Sequence, residues 1–257
     1  MTRVAIDALR AEQARALELI HSMTPDEWQA ASGCTDWRVQ DVVQHMASVF
    51  HTIADPTTIE PGGTGKAEQD AEVPVQARKE WTTEQVVAEY VEWSEKGITA
   101  LAGLQEPPMA EMVVPLADLG SHPMHILGNA IVFDHYCHLR HDIGAAVERA
   151  ASLPRDPAAL TATVEWMLAG LPQMCAEALA GCTQGLNLSF SDIGATYTVR
   201  AGEPHWTVTE GADTSLPTAT TTAHDFISWG TKRADWRSMG VSVDGAAAQT
   251  LDAFNVI

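Results

Sequence analysis

Two periodicities divide this sequence at "SLPRDP" (152–157), and no single layer architecture accommodates both. Before that point, apolar residues recur at intervals of three, four and seven, the repeat of one buried helical face. After it they fall in short β-type runs broken by Gly and Pro. The expected architecture is therefore α+β: an all-α bundle of long helices followed by a small α+β domain.

The first half supplies four long helices. Ile6, Leu9, Ala16, Leu17 and Ile20 form the stripe of a helix over 5–22, interrupted by Gln13. "TPDEW" (24–28) starts a short helix, with Thr24 as cap, Pro25 in first position and acids in the first turn. Val39, Val42, Val43, Met46, Phe50 and Ile53 define a helix of about 16 residues, with Thr35 or Asp36 as its expected cap. A third long helix is expected over 82–104 and a fourth over 121–149. Between them, "ADPTTIEPGGTGKAEQDAEVPVQ" (54–76) is rich in Pro, Gly and acids without periodicity, and reads as a long loop. Beyond the linker come a helix over 157–180 and the strand-like runs "LNLSF", "ATYTVR", "HWTVTE" and "TATTTA". A short helix in "AHDFISWGT", a strand in "GVSVDG" and a last helix over 245–254 complete the chain.

Composition excludes several partners. With 15 Lys and Arg against 34 Asp and Glu, the net charge is −19. Nucleic acid and anionic membranes both require a positive surface. No run approaches the roughly 20 apolar residues that span a bilayer. The opening "MTRVAIDALRAEQARALELI" lacks the apolar core of a signal peptide, so a cytoplasmic location is expected. Cys34, Cys137, Cys175 and Cys182 show no CxxC spacing and are expected to be free thiols.

The chemistry concentrates in "IVFDHYCHLRHDI" (131–143). On a helix Asp134, His138 and His141 share a face, and the i, i+4 pair Asp134/His138 can reach one point beside it. His135 points about 100° away, and Cys137 falls in line with Ala130 and Phe133, toward the core. A third ligand would come from His45, at the border of the apolar stripe of 39–54. Two His and one Asp with an open position suit a catalytic zinc ion, and nickel or iron accept the same donors. The competing reading of Asp134 and His138 is an ion pair on a helix surface. His21, His51, His122, His205 and His224, each taken singly, read as surface or hydrogen-bonded residues.

"CTDWRVQDVVQHMASVF" resembles the W-x-V-x-D-V-x-x-H-x-A helix of the mycothiol-dependent maleylpyruvate isomerase family, within the wider DinB-like metal-dependent four-helix bundles. "FDHYCHLRHDI" is similar to that family's second metal helix, and "HDFISWGTKR" and "VSVDGAAAQTLDAFNVI" to its small, sterol-carrier-like C-terminal domain. The resemblance implies a DinB-like bundle over 1–152 and a sterol-carrier-like domain over 157–257. It implies His45, Asp134 and His138 as metal ligands. Many relatives carry Glu where this chain has Asp134, and the shorter Asp would draw the metal closer to its helix.

The resemblance also implies a divalent metal, Zn2+ first, and mycothiol or a similar low-molecular-weight thiol. The metal would activate the thiol, which would add to and leave the C=C of a cis-enedioate such as maleylpyruvate. Arg233 best matches an arginine thought to reach the active site, with Lys232 and Arg237 as neighbours; an Arg there would hold a substrate carboxylate. His141 and His135 are candidates to carry a proton. Two other functions stay open: thiol transfer to another electrophile, and non-catalytic binding of an apolar ligand. The expected partners are a small electrophile and a thiol, with the chain a monomer or small homo-oligomer.

Overall fold

A computed structural model describes residues 3–202, 205–243 and 245–256. The chain forms two compact units, 1–162 and 163–257.

The first unit is built on four helices: α1 (Arg3–Ser22), α3 (Val39–Ala54), α5 (Thr83–Gly103) and α6 (Leu127–Cys137). Each buries the stripe its spacing predicts. On α1, Ile6, Leu9, Ala16 and Ile20 are buried, Leu17 is half-buried, and Gln13 donates to Ser94 Oγ on α5 at 2.8 Å. On α3, Val39, Val42, Val43, Met46 and Phe50 are inaccessible to solvent. The short α2 (Pro25–Gln29) begins with a capping box between Thr24 and Glu27, which satisfies two backbone donors the helix would leave orphaned.

α3 and α5 pack most closely of all, and Gly97 is what lets them. A Cβ there would stand 2.6 Å from Phe50 Cδ1 and 3.0 Å from Phe50 O. Gly97→Ala is expected to cost about 1–3 kcal/mol through overpacking, against a helix-propensity gain of up to about 1 kcal/mol. Urea denaturation measures the difference; an unchanged or higher midpoint would contradict this reading of the crossing.

Several elements differ from expectation. The stretch 54–76 is only partly a loop: Ala67–Ala77 form a helix, α4. Its Pro74 and acids masked it, and tertiary contacts hold it. Asp118 Oδ1 accepts the Ala67 N–H at 2.8 Å, Glu72 accepts Trp37 Nε1 at 2.7 Å, and Val75 is buried. Neither Thr35 nor Asp36 caps α3. Arg38 is the cap residue, its N–H donating to Asp41 Oδ2 at 2.9 Å, while Asp36 takes φ 64° in the preceding turn.

The fourth helix is shorter than 121–149. Ser121–Pro123 pair antiparallel with Val113–Pro115 as a two-stranded ribbon, β2 with β1. α6 follows, then one wide π turn at His138–Ile143 and a short α7 (Glu148–Ala151).

In the second unit, the helix expected over 157–180 is α8 (Pro157–Met174), which carries the division between units, and a short α9 (Ala176–Leu179). A four-stranded sheet runs β5 (Thr207–Glu210), β4 (Ala195–Arg200), β3 (Leu186–Phe190), β6 (Thr218–Thr221). All pairs are antiparallel except β3 with β6. Leu186, Leu188 and Phe190 alternate into the core, where Phe190 meets Phe226, and Phe226 meets Trp229, both on α10 (Ala223–Gly230). α11 (Ala246–Asp252) is the last helix. Residues 240–243 are not a strand, and residue 244 lies outside the described residues. The overall class is α+β. Among the described residues, no helix is long and apolar enough to cross a membrane. None of the four cysteines is in a disulfide.

Candidate metal centre

α3 carries His45 at the edge of its apolar face, with only 9% of the residue exposed. α6 presents Asp134 opposite it. His45 Nε2 lies 3.1 Å from Asp134 Oδ1, and His138 Nε2 lies 3.4 Å from the same oxygen. One ligand atom from each of the three falls within 4.8 Å of the other two. The His45 ring packs against Trp37 at 5.3 Å and edge-on to His138 at 5.0 Å. The structure thus brings together the three residues that the sequence singles out, from helices 89 residues apart.

One buried atom of this group, His45 Nδ1, has no hydrogen-bond partner, while Asp134 Oδ2 faces His135 Nδ1 at 3.3 Å. A buried polar atom left unpaired costs about 1–3 kcal/mol. A closed ion-pair network would satisfy such atoms. The surface ion pair considered from spacing alone does not describe Asp134 and His138, whose side chains are 15% and 12% exposed.

The charges are strongly coupled. Burial alone would raise the Asp134 carboxyl. The positive charge of His138 and hydrogen bonds with His135, His138 and His45 outweigh that and hold it well below its usual range. Burial also disfavours the His138 cation, but Asp134, Asp142 and Cys34 outweigh that and hold the imidazole well above its ordinary value.

Asp142 is the residue that spacing did not single out. Its Oδ2 lies 2.8 Å from His138 Nδ1, so the two nitrogens of one ring each face a carboxylate. The i, i+4 spacing of His138 and Asp142 is one an ordinary helix also brings together, and the wider π turn carries His141, at i+3, further off that face. His141 is half-buried and belongs to neither group of converging ligand atoms. His135 is fully buried, its Nδ1 3.1 Å from Ile131 O and its ring against Phe50. Cys137 is buried, as its spacing suggests.

The segment 29–38 walls a surface pocket of about 520 Å³. Gly33 N–H donates to Asp142 O at 2.9 Å, and a Cβ at Gly33 would stand 2.9 Å from Asp142 Oδ1. Only glycine allows this approach of the segment to the π turn. Cys34 follows directly and is half-buried.

A separate buried network surrounds His51. Glu89 Oε1 pairs with its Nδ1 at 2.9 Å and Thr58 Oγ1 with its Nε2 at 2.8 Å, and Trp93 stacks on the ring at 3.7 Å. Arg78 bridges Glu89 and Glu60. This ties the loop after α3 to α4 and α5, a structural use of a histidine. Arg233 and Arg237 belong to the second unit and are exposed. There Arg237 grips Asp252 through both terminal nitrogens, at 2.7 and 2.8 Å, and covers Trp236.

Comparison with known proteins bears on the fold and the family. The crystal structure of a mycothiol-dependent maleylpyruvate isomerase is similar with a TM-score of 0.59 at 12% identity, over 94% of this chain and 92% of that one. That of a histidine-to-alanine mutant of a mycothiol-dependent maleylpyruvate isomerase gives 0.53 at 10%, over 91% and 90%. At such identity the likeness is one of fold. No curated protein matches the sequence. The model of the mycothiol maleylpyruvate isomerase N-terminal domain matches residues 9–138, half of the chain, from within α1 to His138. The chain belongs to the mycothiol maleylpyruvate isomerase N-terminal domain family.

Proposed function

We propose that this protein is a metal-dependent isomerase that uses a low-molecular-weight thiol of the mycothiol type to turn a maleylpyruvate-like cis-enedioate into its trans isomer. The observation that carries the reading is the convergence of His45 Nε2, Asp134 Oδ1 and His138 Nε2, with His45 Nδ1 left without a hydrogen bond in a buried site. Two imidazoles and one carboxylate fit a divalent cation, zinc foremost, with positions left open for exogenous groups. A bound cation supplies the charge that lowers a thiol's pKa, and the thiolate's addition to and departure from the C=C permit rotation about that bond.

The chain's own residues do the rest. His45, Asp134 and His138 would hold the cation. Asp142 accepts a hydrogen bond from His138 Nδ1–H, which fixes the ring with Nε2 on the side of Asp134 and His45. Asp134 favours the protonated His138 ring, so metal binding there would release a proton. Trp37, packed on the His45 ring, shields the site from water on that side. Asp142→Asn keeps an acceptor for Nδ1–H but removes the charge. It is expected to weaken metal binding about 10–100-fold, read by competition with a chromophoric chelator. Unchanged affinity would remove Asp142 from this role.

The direct test is an isomerisation assay on purified, metal-loaded protein with maleylpyruvate, with and without mycothiol. Turnover is expected only with both metal and thiol present. Turnover indifferent to the thiol would overturn the proposed route.

A further inference from the structure

Cys34 stands on the other side of His138 from the group just described. Its Sγ, a ring nitrogen of His138 and a carboxylate oxygen of Asp142 all lie within 4.8 Å of one another. Asp142 meets the ring at Nδ1, whereas Asp134 faces Nε2. We propose that Cys34, His138 and Asp142 form a second cation position that takes a thiophilic divalent ion of the zinc class.

The position is built rather than incidental. Cys34 N–H donates to Ser32 Oγ at 3.1 Å, and Cys34 O accepts the Trp37 N–H at 3.2 Å. One residue earlier, Gly33 is bonded to the Asp142 carbonyl and packed too tightly for a side chain. The backbone carrying the thiol is therefore fixed relative to the backbone carrying the carboxylate. Such preorganisation reduces the entropy lost on binding.

The donor set selects the ion. A thiolate, an imidazole nitrogen and one carboxylate oxygen suit zinc, cobalt or cadmium, and disfavour magnesium and calcium, which require mostly oxygen donors. Bonds of about 2.0–2.3 Å to a tetrahedral ion place ligand atoms roughly 3.3–3.8 Å apart. The thiol must draw in by up to roughly 1–1.5 Å from the 4.8 Å limit, while His138 Nδ1 and Asp142 Oδ2, 2.8 Å apart, must part by about 0.5 Å. Cys34 and Gly33 both line the 29–38 pocket, which leaves a remaining coordination position accessible to water or a small thiol. The two cation positions share a single imidazole, that of His138. Occupying the second removes the Asp142 hydrogen bond that orients the ring for the first, so a second equivalent of metal antagonises the first.

Anaerobic titration of the metal-free full-length protein with Co2+ tests this, because thiolate ligation gives a near-ultraviolet charge-transfer band that His and Asp ligation does not. Wild type is expected to develop the band. His45→Ala, which cripples only the first position, is expected to keep it, and Cys34→Ser is expected to lose it while still binding one equivalent of Co2+. Absence of the band in both wild type and His45→Ala would overturn the second position, as would its persistence in Cys34→Ser. If wild type binds one equivalent without the band and His45→Ala binds none, the second position falls and the first stands.

Discussion

His45→Ala is expected to bind divalent metal about two orders of magnitude more weakly than wild type and to lose thiol-dependent turnover, while keeping its fold. Structural zinc sites of four ligands bind with about 10–16 kcal/mol, so one ligand carries roughly 3 kcal/mol, or about a hundredfold. The fold should survive because alanine is the best helix former. The ring also makes few contacts deep in the core: it lies at the border of the α3 stripe, against Trp37 and His138. Metal content after dialysis, alongside circular dichroism, separates these effects. A well-folded variant that retains stoichiometric metal at wild-type affinity would exclude His45 as a ligand.

The largest stability effect is expected away from the site. Arg140 and Glu12 form a two-pronged ion pair at 2.8 and 3.1 Å, with both side chains fully buried. The guanidinium also lies over Tyr136, 3.9 Å from the ring centre, and Glu12 receives a third hydrogen bond, from Arg15 at 2.7 Å. Removing one member of a buried pair strands the other and costs about 3–5 kcal/mol, whereas replacing both with apolar groups is often close to neutral. Arg140→Met should therefore lower the urea midpoint sharply, and Glu12→Leu/Arg140→Met should recover much of the loss. A single variant as stable as wild type, or a double variant no better than the single, would show that the pair does not hold α1 to the π turn.

The helical half was legible because its stripes are long: Val39, Val42, Val43, Met46 and Phe50 leave little choice for α3. Asp134, His138 and His45 were legible for a related reason, since an i, i+4 pair and a histidine on an apolar border are both marks of side chains drawn to a common point. What escaped was set by tertiary contact. α4 depends on Asp118 and Trp37, which are far from it in sequence. The cap of α3 is a side chain inside the helix reaching back, not a residue ahead of it. The π turn escaped because its residues are ordinary helix formers. Asp142 was as legible as Asp134, since it stands at i+4 from His138 where Asp134 stands at i−4; what the π turn added was to carry His141, at i+3, further off that face.

The 89-residue separation of His45 and Asp134 has a mechanical consequence. On the proposed assignment, an ion joining them is a reversible cross-link closing a loop that contains α4, α5 and the β1–β2 ribbon. Unfolding must then release the ion. At a free metal concentration a hundred times the dissociation constant, that link stabilises the bundle by about 2.7 kcal/mol. Metal supply would then set not only whether the chemistry runs but how long the helical unit survives between unfolding events.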